Sequence, residues 1–112
     1  APPIFRRHFQ AESMDRAQRE LAAEQAAHRR HFVEHELTRA EREVAALVVA
    51  EVTTVKAIAA ALHKSPKTVT NQLNSIYSKV ESYFGLQPDV GVKREFLRRE
   101  LGAVLGDSRV GR

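Results

Sequence analysis

The chain has 112 residues, of which 43% are hydrophobic and 29% charged, with a formal net charge of +4. That length and balance suit one domain plus an extension, and exclude both two full domains and wholesale disorder. Aromatics at 6%, with only 5 Gly and 4 Pro, favour helices over a sandwich or barrel, while the lack of Cys excludes disulfides and thiolate chemistry and suits a reducing compartment.

The chain opens on Ala1 rather than Met, as a processed product or a fragment would. Pro2 and Pro3 are expected to leave the tip as a frayed arm, and no basic-then-apolar leader follows. No run of about 18 apolar residues occurs, so no membrane span is expected. From about Gln10 to Glu36 the chain is rich in Ala, Glu, Gln and Arg and free of Gly and Pro, which predicts one long helix. Its apolar stripe is thin, with Met14, Leu21 and Phe32 as the large members. Such a helix either folds back along its own domain as a brace or pairs with a second copy. Residues 1–36 carry six Arg against six acids, so this region is neutral.

Four shorter helices are predicted next. The first starts at Thr38, with Glu41 at the spacing of a capping box, and buries Val44, Leu47 and Val48. The second begins at Thr53 or Thr54 and places Val55, Ile58, Ala59 and Leu62 on one face. Ser65-Pro66 announces the third, a cap followed by Pro at the first helical position, and Val69, Leu73, Ile76 and Val80 form its buried side. Gly85 and Pro88 break the chain before a fourth helix, from about Asp89 to Leu105, burying Leu97, Leu101 and Val104. Residues 106–112 are expected as a flexible tail.

Charge distribution points to a partner. Between Val52 and Val80 there is no Asp or Glu, while Lys56, Lys64, Lys67 and Lys79 sit there, the footprint of a polyanion contact. The second and third short helices, joined by His63-Lys64-Ser65, make a helix-turn-helix candidate. On the outward side of the third, Lys67, Thr70, Asn71, Asn74 and Ser78 recur at helical spacing. All donate hydrogen bonds, and none is acidic or bulky. A merely solvated helix normally mixes Glu and Lys at such positions. Thr70, Asn71 and Asn74 are therefore the candidates for base edges, and Lys56, Lys67, Thr68 and Lys79 for phosphates.

The run Leu37-Thr38-Arg39-Ala40-Glu41-Arg42-Glu43-Val44, then Lys56-Ala57-Ile58-Ala59, Leu62, Ser65, Thr68-Val69, Ile76 and Lys79-Val80, resembles the LuxR/GerE-type DNA-binding domain. The likeness spans about 37–80, with a looser continuation to about Leu105. It implies an all-α, four-helix helix-turn-helix domain at 37–105; the long helix of the 1–36 region, which precedes it, has no counterpart in the family's minimal domain. In this family the third helix reads DNA and the fourth often dimerises. Ala40 stands where the family usually has Arg, Val52 where it has Gly, Thr70 for Lys and Gln72 for His, so no family operator carries over. The stretch Glu81 to Lys93 is also longer than the family's usual link.

The resulting expectation is a transcription regulator of the bacterial cytoplasm and nucleoid that binds double-stranded DNA as a homodimer, with no cofactor. Leu21 on the long helix, and Leu97, Leu101 and Val104 on the fourth short one, are the expected dimerisation residues, with Met14, Phe32 and Val33 in support. The alternatives are an adaptor that binds a regulator protein or RNA polymerase, and a promoter-reading module like a sigma factor's last region. His28, His31 and His35, with Glu34, make at most a weak metal site, since no distant second ligand pair accompanies them. Without a nucleophile–base pair or a glycine-rich phosphate loop, no catalysis is expected.

Overall fold

A computed structural model describes residues 3–52 and 54–110, with side-chain surroundings for 13–52 and 54–106. Pro2, Thr53, Gly111 and Arg112, named above for the tip, an alternative cap and the tail, lie outside the described residues. Among the described residues the chain is all-helical. The order is α1 (Pro3–His31), a π-helical turn (Phe32–Glu36), α2 (Arg39–Val49), α3 (Val55–Leu62), α4 (Pro66–Phe84), α5 (Val90–Glu100) and α6 (Gly102–Val110). None of these helices is long and apolar enough to cross a membrane.

Four of the helix starts follow from local chemistry. Thr38 and Glu41 form the reciprocal capping box of α2, with Glu41 N donating to Thr38 Oγ1 at 3.1 Å and Thr38 N to Glu41 Oε1 at 2.8 Å. Thr54 caps α3 through Ala57 N, Ser65 caps α4 through Thr68 N ahead of Pro66, and Asp89 caps α5 through Val92 N. Gly85 ends α4 in the left-handed conformation (φ 67°), which costs glycine nothing. At the end of α2 the left-handed residue is Glu51 (φ 67°), not the neighbouring Val52.

α2 is the central helix, packed against α4, α5 and α6, while α3 packs on α4. Val44, Val48, Ile58, Val69, Ile76 and Val80 form the centre of the core, and Leu47, Leu62 and Leu73 pack partly buried at its margin. Phe32 and Val33 are also fully buried there. They belong to the domain and are not the surplus apolar residues expected of the long helix. Both lie in the π-helical turn that joins α1 to α2. Leu37 N closes that turn on Phe32 O at 3.1 Å.

The C-terminal part differs from expectation. The chain breaks at Leu101, giving α5 and α6 where one helix was expected, and α6 runs on to Val110 where a tail from Gly106 was expected. Gly102 follows the break, and a Cβ there would lie 3.4 Å from Val49 Cγ1, so α6 crosses close over α2. Leu97 and Leu101 are completely buried by this packing, and Val104 nearly so. All three lie inside the monomer's core. None of them is exposed for the expected contact with a second copy.

α1 leaves the domain as an arm. Its residues 13–28 are exposed, and the molecule extends 69 × 32 × 22 Å. The radius of gyration is 18.7 Å, against about 13 Å for a compact chain of this length. The brace arrangement is therefore not what the structure adopts, since among the described residues only the last turns of α1 touch the domain. Its root is clamped by rings: His28 stacks on Tyr83 at 4.5 Å, and Phe32 lies 5.0 Å from both Tyr83 and Phe84. Arg42 Nη1 donates to Glu34 O at 3.0 Å and Lys79 Nζ to Glu36 O at 3.0 Å, satisfying carbonyls freed where the helix ends.

Candidate nucleic-acid interface

The outward side of α4 starts from its buried side. Because Val69, Ile76 and Val80 face the core, Lys67, Thr70, Asn71, Asn74 and Ser78 are turned to solvent, and all five are exposed. At 100° per residue they fall within an arc of about 100°, and from 67 to 78 they span about 17 Å of helix. None of the five side chains has a hydrogen-bond or ion-pair partner among the described residues. Their donors and acceptors are thus available to something outside the chain.

The turn before α4 shapes one end of this face. His63 closes α3 in the left-handed conformation (φ 55°), reversing the chain within three residues. Lys64 Nζ then donates to Gln72 Oε1 at 3.2 Å, so Gln72 is tied back to the turn rather than presented beside Asn71. Thr68 is exposed, but its hydroxyl lies 2.9 Å from Ser65 Oγ and takes part in the cap. Lys56 projects from the first turn of α3, exposed and without a side-chain partner among the described residues.

Lys79 corrects the sequence reading. Instead of standing free for a phosphate, its ammonium donates to Glu41 Oε1 at 2.7 Å as well as to Glu36 O. Ser75 Oγ donates to Glu41 Oε2, so the buried carboxylate joins α2 to α4 through both of its oxygens. Burial by itself would raise the Glu41 pKa. The hydrogen bonds from Lys79, Ser75 and the Thr38 N–H, with the Lys79 charge beside it, outweigh burial and bring it from 4.5 to about 2. This network and the aromatic clamp were missed in the sequence. The one available signal for the clamp was Tyr83-Phe84, two rings together in a chain poor in them.

The remaining expected residues are dispersed. Leu21 stands exposed on α1, far along the chain from the buried Leu97, Leu101 and Val104. His31 and His35 have their rings 4.7 Å apart, but among the described residues no group of three or more metal-binding side chains converges. No protein-family model, curated protein or solved structure matches this chain.

Proposed function

We propose that the chain is a sequence-specific binder of double-stranded DNA, a transcription regulator of the LuxR/GerE helix-turn-helix type, with α4 entering the major groove. One observation carries this reading: the outward arc of α4 presents Lys67, Thr70, Asn71, Asn74 and Ser78 without partners among the described residues, in a stretch lacking any acid. A groove about 12 Å wide accepts a helix whose exposed side chains are this small. Asn71 and Asn74 suit the paired donor and acceptor on an adenine edge, and Thr70 suits a single base contact. Lys56 and Lys67 meet phosphates on either side of the turn, where the first amides of α4 add their own attraction for anions. A second copy supplies the second half-site, as two-fold operators require.

The test uses a duplex recovered from a random pool by the full chain. Asn71→Ala and Asn74→Ala should each weaken binding to that duplex by about 1–3 kcal/mol, with little loss on unselected DNA. Equal losses on both, or no salt-dependent duplex binding at all, would overturn the reading and favour a protein-binding adaptor.

A further inference from the structure

The bare part of α1 is a surface without a partner. Met14 is 63% and Leu21 54% exposed, the two most exposed large apolar side chains among the described residues. At 100° per residue Met14, Gln18, Leu21 and Gln25 lie in one stripe, which continues into His28 and Phe32 where the helix is docked. The face clamped against Tyr83 and Phe84 at the root is thus the face left open further out. Ala17 and Ala22 flank the stripe, small enough to let a second helix approach closely.

We propose that the stripe is covered by the α1 of a second copy, the two arms running antiparallel about a two-fold axis near residues 17 and 18. Charge selects this occupant. A basic arm would suit nucleic acid or an anionic membrane, whereas residues 1–36 carry six Arg and six acids and leave the whole excess of +4 to the rest of the chain. A neutral segment meets no net repulsion from a second copy of itself. Steric geometry selects the direction. Because the stripe lies on the side where the domain is docked, a parallel partner would bring its own domain into the same space. An antiparallel partner sets Met14 against Leu21 twice and places the domains at opposite ends, the closed arrangement of a two-fold interface. This deepens only the dimeric part of the function proposed above, and it stands whether or not α4 enters DNA.

The chain contains no Cys, so single cysteines report the geometry directly. In the full chain without DNA, oxidised Gln18→Cys should form a covalent dimer. Gln25→Cys should not, because its two copies lie about 22 Å apart along the axis at 1.5 Å per residue. Met14→Glu with Leu21→Glu changes only exposed positions, and should convert the sedimenting dimer to a monomer with unchanged thermal unfolding of the domain. A wild-type chain that sediments as a monomer at all loadings overturns the proposal. So does cross-linking of Gln25→Cys as efficient as that of Gln18→Cys, which would mean parallel arms. Persistence of the dimer in the double variant would place the contact elsewhere, on the exposed Val90 and Val92 of α5, and overturns it too. Loss of DNA binding by a chain that still dimerises counts against the proposed function instead.

Discussion

Lys67 and Lys79 lie on one helix, and a reading by charge alone treats them as equals. At the first turn of α4, Lys67 projects into solvent with Asn71 and Asn74 along the same arc. Toward the other end, Lys79 and Ser75 are drawn to the Glu41 carboxylate and lock α4 onto α2. The difference arises from which face each residue occupies and from a partner 38 residues away, not from residue type. One face of the helix is spent on holding the fold. The other face has its hydrogen bonds unspent, which is what recognition requires.

The sharpest way to break this comparison is to remove Glu41. Glu41→Ala takes away half of the capping box, removes the acceptor of Ser75 and of the Thr38 N–H, and leaves Lys79 with only the Glu36 carbonyl among the described residues. The expected loss in denaturant unfolding is about 3 kcal/mol, with the outward arc of α4 unaffected in the folded fraction. A loss near zero would mean that water replaces the carboxylate at no cost.

Acid probes the same contact without a substitution. Glu41 has its pKa lowered in the fold, so its contribution is fully present above the ordinary value of 4.5 and is lost as the pH falls toward 2. The shift corresponds to on the order of 3 kcal/mol, and stability measured through that window should fall accordingly. Glu41→Ala should flatten that part of the profile. An unchanged profile in the variant would assign the acid sensitivity to other carboxylates.

Salt separates the two lysines. If Lys67 meets a phosphate, Lys67→Ala should lower the slope of log affinity against log salt by about one. Lys79→Ala should leave that slope unchanged while reducing stability. Equal slope changes would show that Lys79 leaves Glu41 when DNA arrives. Smallest of all, Ser65→Ala should cost about 1 kcal/mol by uncapping α4, seen as a lower thermal midpoint.

What could be read in the sequence was local. Thr38 with Glu41, and Ser65 before Pro66, announce helix starts because cap and amide are three residues apart. The outward arc of α4 was legible for a similar reason, since the spacing of Val69, Ile76 and Val80 fixes what faces away. The fate of Lys79 was not, because Glu41 and Glu36 reach it only through the packing of α2 and the arm's root against α4. The break at Leu101 carries no proline to announce it, and it is favoured by burying Leu101 and Leu105 over α2. Phe32 and Val33 misled for a related reason. Phe32 is buried against Tyr83 and Phe84, rings from the far end of α4 that only the packed chain brings to it.

That π-turn also sets a rotational phase. One residue more than an α-helical turn requires is held between the arm and α2, closed by Leu37 N on Phe32 O. Removing a single residue from Val33–Glu36 while keeping the domain packed would rewind the segment and turn the whole of α1 by about 100°. Met14 and Leu21 would then point away from where they now lie, with their composition and exposure unchanged. The direction in which the arm offers its apolar edge is therefore encoded by the length of a five-residue segment and not by the arm itself. A one-residue insertion or deletion there would act as a switch of orientation, whereas substitutions along the arm would alter only how strongly that edge holds.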